Sequence, residues 1–210
     1  MKLIGMLDSP FVRRVAISLQ RLGLRFEHDP LSVFRTFAEF QRINPAVKAP
    51  TLVCDDGTVL MDSTLILQYA EALARRTLWP TELSALQREL RLSGLALAAC
   101  EKSGQIVYER GLRPAEKVHA PWIERVSTQL RGAYAELEQE LAQQPLPAPA
   151  SHIGAAGIAV AVAWHFTQRV LPGLVTAADH ARLAQYSAAA EALPAFMAAP
   201  YGEATYRDAR

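Results

Sequence analysis

Three short stretches of the 210-residue chain carry residue types whose spacing could do chemistry. Ser9-Pro10 stands between an apolar run, Leu3 to Leu7, and a segment of helical spacing. Ser is a good helix N-cap and Pro suits the first helical turn, so a cap is the plain reading. Backbone N–H groups and the positive end of a helix dipole point to the same place, which lowers the cost of a thiolate or another anion there. A hydroxyl held beside such an anion can donate a hydrogen bond to it. In Lys48-Ala49-Pro50-Thr51, Pro50 lies just before a strand pattern. Most such prolines are trans, since cis accounts for only about 5–6% of X–Pro bonds. A cis bond would turn the backbone of Ala49 outward, able to pair with an extended peptide ligand like a short added strand. Asp62-Ser63 is again a cap by residue type. A carboxylate, a hydroxyl and helix N-terminal amides could also receive a ligand that carries both an ammonium and a carboxylate.

Other candidates are weaker by type. Cys54 falls mid-strand in an apolar run and Cys100 in a helix rich in Leu and Ala, so both read as buried, inert thiols. Two cysteines make neither a disulfide framework nor a thiolate metal site, which fits a reducing, cytoplasmic setting. The five histidines show no ligand spacing with a carboxylate partner, so no metal is expected. Tyr108 and Trp164 lie on helical patterns and could line a pocket for an apolar co-substrate; core packing is the simpler role for Trp164. With 22 Lys+Arg against 21 Asp+Glu, the chain has no positive excess with which to neutralise many phosphates, so nucleic acid is excluded as a main partner.

The elements that must position these residues fall into two textures. Near the start, a strand at Leu3 to Leu7 is followed by Val12, Val15, Ala16, Leu19 and Leu22 at helical spacing, then by a brief strand near Phe26. After a loop, Thr51 to Cys54 and Val59 to Met61 flank Asp55-Asp56-Gly57 as a hairpin, and Leu65, Ile66, Tyr69, Ala70 and Leu73 are helical again. The order is βαβ, loop, ββα. From about Leu83 onward only helix is predicted: Leu83 to Tyr108, Glu116 to Gln144, Ile153 to Trp164, and about Asp179 to Leu193, with Leu171-Pro172-Gly173 as a stop. Ile153 to Trp164 carries no charge but is far shorter than the ~20 residues that span a bilayer, so it reads as a buried helix and no membrane is expected. The first residues read as a strand rather than a signal peptide. Runs such as Glu136 to Glu140 read as solvated helix faces.

Taken together and in order, these motifs resemble the cytosolic glutathione transferases. The resemblance rests on Ser9-Pro10-Phe11-Val12-Arg13-Arg14-Val15, on Asn44-Pro45-Ala46-Val47-Lys48-Ala49-Pro50-Thr51-Leu52, and on Asp62-Ser63 followed by Ile66 and Tyr69. The chain looks like the small bacterial serine-type members, the YibF-like group. The resemblance implies an α/β plus all-α protein, with an N-terminal thioredoxin-like domain (βαβ-ββα) at residues 1–77 and an all-helical domain at 83–210 that contributes the co-substrate pocket. It implies a cytoplasmic homodimer, glutathione as co-substrate and a cis Pro50. Position by position, Ser9 would stabilise the glutathione thiolate and Phe11 would line the cleft beside it. Lys48 would approach the glycyl carboxylate, Ala49 and Pro50 would present backbone to the cysteinyl unit, and Asp62 with Ser63 would hold the γ-glutamyl end. The implied reaction is conjugation of glutathione to an electrophilic, apolar small molecule, in detoxification or in a dedicated metabolic step. A non-catalytic glutathione-binding or interaction protein is the alternative, as is a glutathione-dependent disulfide reductase, disfavoured because no Cys lies in Ser9 to Val12. One departure concerns the start of the buried helix, where Gly154-Ala155-Ala156-Gly157 replaces the family's polar capping pair and leaves Ser151 as a substitute cap.

Overall fold

The computed structural model describes residues 1–207, which form two compact units. The first comprises Met1–Leu78 together with the C-terminal segment from Ala192, and the second Trp79–Glu191.

In the first unit, β1 (Lys2–Ile4), α1 (Pro10–Arg21), β2 (Glu27–Asp29), α2 (Phe37–Ile43), β3 (Thr51–Val53), β4 (Val59–Met61) and α3 (Ser63–Ala74) follow one another. The four strands make one mixed sheet in the order β2-β1-β3-β4. β1 pairs parallel with β2, as a helical crossover requires, and antiparallel with β3, while β3 and β4 form the expected hairpin. Gly57 turns that hairpin at φ +84°, a conformation open to glycine. β1 is shorter than its apolar run because Gly5, at φ +134°, begins the descent into α1; a Cβ there would come within 2.7 Å of Val12 Cγ2. This tight turn sets Ser9 at the start of α1. The segment 37–43, expected as loop, is the short helix α2: Phe37, Phe40 and Ile43 keep a three-residue spacing for only two turns, too brief a signal to stand out.

The C-terminal segment, which the sequence grouped with the helices, packs in the first unit through contacts no local pattern reveals. Its helix α8 (Pro194–Ala198) is gripped by Arg13, whose Nε donates to Ala199 O at 2.8 Å and whose guanidinium lies over the Phe196 ring. Beyond it, Tyr206 stacks on Phe26 and its amide donates to His28 Nδ1 at 3.0 Å. Residues 208–210, the end of the expected helical domain, lie outside the described residues.

The second unit is helical throughout: α4 (Leu83–Gly111), a short turn of 3₁₀ helix (Ala115–Lys117), α5 (Ala120–Gln143), α6 (Ala155–Val170) and α7 (Ala181–Glu191). Every residue of α6 from Ala155 to Trp164 is buried, as its lack of charge predicts. One polar cluster of this core is internally paired, with Tyr134 Oη donating to Ala163 O at 2.8 Å and Thr167 Oγ1 within hydrogen-bonding distance of both Tyr134 Oη and Ser103 Oγ, whereas Ser93 Oγ on α4 is buried with no hydrogen-bond partner among the described residues. The acidic run on α5 is more than a solvated face, since Arg91 of α4 reaches both Glu136 and Glu140.

Ser151 does not cap α6. Its hydroxyl donates instead to Ala148 O, and the capping position is Gly154, without a side-chain partner. The Ala156 amide is met by the carboxylate of Glu89, 67 positions earlier on α4. A capping acceptor thus comes from a neighbouring helix, where no local motif could announce it.

Candidate functional site

Ser9 is the N-cap of α1, and its Oγ accepts from the Val12 amide at 3.4 Å, a long contact for a cap. A hydroxyl that accepts from an amide keeps its own proton to donate elsewhere, so the capping and thiolate readings are compatible. Ser9 is partly exposed, whereas Pro10 and Val12 to Leu19 are buried and hold the helix in place. Phe11, the residue expected to line the cleft, is partly exposed next to it.

Sequence reasoning passed over what surrounds Ser9. The carboxyl of Asp8 is pushed up by burial, against the opposing pull of the Ser9 amide and the Arg35 guanidinium. Arg35 forms an ion pair with Glu203 of the C-terminal segment at 2.6 Å and also reaches Met6 Sδ. Neither Arg35 nor Glu203 lies in a motif with a local signature.

The Ala49–Pro50 bond is cis, as the resemblance implied. The loop before it is braced from below: Asn44 Nδ2 donates to Thr51 Oγ1 at 2.8 Å, and Thr51 Oγ1 donates to Lys48 O at 2.7 Å. Asn44 Oδ1 also accepts from the Ala46 amide. Asn44 and Thr51 therefore fix the shape of the segment that carries Lys48 and Ala49. Both stand inside the quoted motif, but only the folded backbone brings them together.

Asp62 adopts φ +69° and caps α3, its Oδ1 accepting from the Thr64 amide at 2.9 Å. A non-glycine residue at positive φ is uncommon and strained, and it marks a place held by its surroundings. The other oxygen, Oδ2, stands 3.9 Å from Lys48 Nζ. Ser63 follows at 3% exposure, with its Oγ accepting from Arg14 Nη1 at 3.0 Å. The first unit thus has two helix N-termini that each present a serine hydroxyl, α1 with Ser9 and α3 with Ser63, and a cationic group, Lys48, attached to the second through Asp62. This arrangement can hold an anion at either helix end and an ammonium at Asp62.

The aromatic candidates of the helical unit separate. Tyr108 of α4 is 50% exposed. Trp164 of α6 is 4% exposed and packs edge-on against Tyr134 at 5.4 Å between ring centroids, the position of a core residue. Neither cysteine is in a disulfide, and both are buried. Among the described residues, no group of His, Cys, Asp and Glu could hold a metal ion, and no helix is long and apolar enough to cross a membrane.

Comparison with known proteins gives the arrangement a context. Residues 3–77 match the family model for the glutathione S-transferase N-terminal domain, and residues 120–189 that for the glutathione S-transferase C-terminal domain. The chain is 27% identical over 174 residues to the uncharacterised GST-like protein YibF of Escherichia coli (strain K12), covering 82% of this chain and 86% of that protein. Among solved structures, it resembles a glutathione S-transferase from Methylobacterium radiotolerans in complex with glutathione sulfonate, with a TM-score of 0.86 and 26% identity over 97% of this chain and 96% of that one. It also resembles a glutathione transferase family member from Pseudomonas fluorescens Pf-5 with bound glutathione, with a TM-score of 0.80 and 31% identity over 94% and 97% of the two chains.

Proposed function

The chain belongs to the glutathione S-transferase family, and from that premise we propose that it binds glutathione and conjugates its thiolate to electrophilic small molecules, with Ser9 stabilising the thiolate. The observation that carries this reading is the placement of Ser9 Oγ at the N-terminus of α1 with its proton uncommitted by the Val12 contact. A free thiol has a pKa near 8.5, and lowering it by about two units corresponds to roughly 2.7 kcal/mol. A hydrogen bond to an ionised group is worth about 1.5–3 kcal/mol, so one hydroxyl aided by the helix dipole suffices in magnitude.

The rest of the ligand suits the remaining groups. The γ-glutamyl ammonium goes to Asp62 and its carboxylate to Ser63, while Lys48 attracts the glycyl carboxylate. Ala49, ahead of Pro50, offers backbone to the cysteinyl unit, and Phe11 lines the cleft by the sulfur. With two carboxylates and one ammonium, glutathione matches a site where one carboxylate faces two basic or hydroxyl groups. The electrophile is apolar in this reading: Tyr108 gives the helical unit an exposed aromatic face, whereas Trp164 is buried. The buried state of Cys54 and Cys100 leaves no accessible protein thiol for mixed-disulfide chemistry and disfavours a disulfide reductase.

The test is calorimetric titration with glutathione, followed by glutathione consumption in the presence of activated aryl halides, enones and epoxides. Saturable binding with turnover on at least one class is expected. Binding without turnover on any would make the protein a glutathione-binding member, and no binding would overturn the reading.

A further inference from the structure

Two consecutive arginines of α1, Arg13 and Arg14, are both buried, at 2% and 4% exposure, and serve different ends. Arg13 holds the C-terminal segment. Arg14 points to the start of α3, where its Nη1 donates to Ser63 Oγ at 3.0 Å and lies 3.3 Å from Thr64 Oγ1. The chemistry of that contact is one-directional. A guanidinium has N–H donors and no acceptor, whereas a hydroxyl has one proton and two lone pairs. Against Arg14, Ser63 can only accept, so the pair leaves the serine proton unused.

The geometry points to Arg14 as a positioning residue for the γ-glutamyl carboxylate: by donating to Ser63 Oγ it turns the serine O–H toward that carboxylate and strengthens its donation. This inference rests on the proposed glutathione reading and deepens it at one subsite. The neighbouring groups keep the roles separate. Asp62 Oδ1 accepts from the Thr64 amide and Oδ2 faces Lys48, while the hydrogen bond at Ser63 Oγ is to Arg14 and not to the Asp62 carboxylate. The α3 amides and the serine hydroxyl then form the anion-receiving side, and Asp62 the ammonium-receiving side. A guanidinium stays charged at all relevant pH values, so the bias on Ser63 is permanent. Its effect on ligand is exerted through Ser63 and not by contact.

A merely structural staple between α1 and α3 would make the same hydrogen bond, so the experiment must read the ligand group and not stability. Calorimetry would compare S-methylglutathione with its analogue in which γ-glutamyl is replaced by 4-aminobutanoyl, which lacks only the α-carboxylate. S-methylation removes the thiolate, and with it Ser9, from the comparison. Wild type is expected to favour S-methylglutathione by about tenfold or more. Arg14→Met should bring the two ligands to within a few-fold by weakening only the first, and Arg14→Lys should recover part of the difference. Ser63→Ala should give the same collapse, and adding Arg14→Met to it should change little, because the arginine acts through that hydroxyl. If Arg14→Met does not fold, the Arg14→Lys and Ser63→Ala proteins still decide: full wild-type discrimination in Arg14→Lys with none lost in Ser63→Ala overturns the inference. Equal weakening of both ligands in an Arg14 variant also overturns it, in favour of the staple. Wild type that binds neither ligand overturns the glutathione reading itself, whereas wild type that binds both without discrimination overturns this inference alone.

Discussion

Lys48 Nζ stands 3.9 Å from Asp62 Oδ2, so the two residues proposed for opposite ends of glutathione also answer each other's charge. Both side chains are about half exposed, and an ion pair so solvated is worth about 0–1 kcal/mol. A ligand carboxylate can therefore compete for Lys48 at little cost. Lys48→Ala should leave thermal stability nearly unchanged and weaken glutathione binding several-fold. Because exposed charges are screened within about 10 Å at 0.1 M salt and about 3 Å at 1 M, the difference should shrink as salt rises. Calorimetric titrations of both proteins at two ionic strengths check this, and equal affinities at low salt would remove Lys48 from the site.

Self-association is the second expectation. On α3, Leu65, Tyr69 and Leu73 are exposed at four-residue spacing, so they share one face, and Val59 and Met61 are exposed on the preceding strand. Such a row of apolar residues favours burial against a second copy. The small-residue stretch Gly94 to Ala99 of α4 offers a further place for close packing. Light scattering at micromolar concentration should give about twice 23.0 kDa, and Tyr69→Glu should shift the mass toward one chain. A monomeric wild type would sink the expectation.

What could be read in the sequence divides along contact distance. The hairpin was legible because Gly57 and its flanking apolar runs lie within a few residues, and α1 because Ser9, Pro10 and the Val12 to Leu22 spacing are local. The positions of Ser9, Asp62 and Ser63 were legible for the same reason: each opens a helix. What was hidden joins distant residues. Arg14 meets Ser63 across 49 positions, Arg13 meets Ala199 across 186, and Glu89 meets Ala156 across 67. Buried arginine looks in sequence like any solvated charge, and a helix cap supplied by another helix leaves no motif at all. Tyr108 and Trp164 had similar signals, yet one is half exposed and the other is core, a difference set by packing between helices.

Ser9 separates two roles on one substitution. If it only caps α1, Ser9→Ala costs about 0.5–2 kcal/mol of stability and the thiol of bound glutathione titrates as before. If the hydroxyl donates to sulfur, that thiol pKa rises toward the free value, while affinity for an S-alkylated analogue hardly changes. The second outcome is expected. Thiolate absorbance of bound ligand, followed against pH in both proteins, distinguishes them, and superimposed curves would refute the thiolate role.

Glu89 gives a test of the borrowed cap on α6. The Glu89 carboxylate interacts with the Ala156 amide, yet its Oε2 is buried with no hydrogen-bond partner among the described residues. Glu89→Ala removes the acceptor and should destabilise the protein by about 1 kcal/mol or more, whereas Glu89→Gln keeps an acceptor oxygen and should lose less. Burial raises the Glu89 pKa above its ordinary 4.5, although Ala156, His152 and Arg88 pull the other way. A carboxyl raised on folding favours the native state most at low pH, and this contribution fades as pH rises through the folded value. Denaturant unfolding at pH 4 and pH 7 should therefore show wild type losing ground to Glu89→Gln at the higher pH.

His28 ties the C-terminal segment to the sheet in one protonation state. Its Nε2 is 2.7 Å from Gly5 O and its Nδ1 accepts from the Tyr206 amide, so the neutral ring must carry its proton on Nε2. Protonation would place a second N–H on Nδ1, facing the donor of Tyr206, and the contact would be lost. Burial lowers the pKa of His28 from 6.5, outweighing the opposing hydrogen bond to Gly5 and the charge of Asp29. A histidine whose folded pKa is depressed contributes stability that is complete above the unfolded pKa and lost as pH falls through about 6.5 to the folded value. Unfolding free energy should thus drop between neutral and mildly acid pH, and a His28→Gln variant should show a shallower drop. Hydrogen exchange of the Tyr206 amide should speed up over the same interval in wild type. An exchange rate that follows only the intrinsic pH dependence would separate the tail from this histidine.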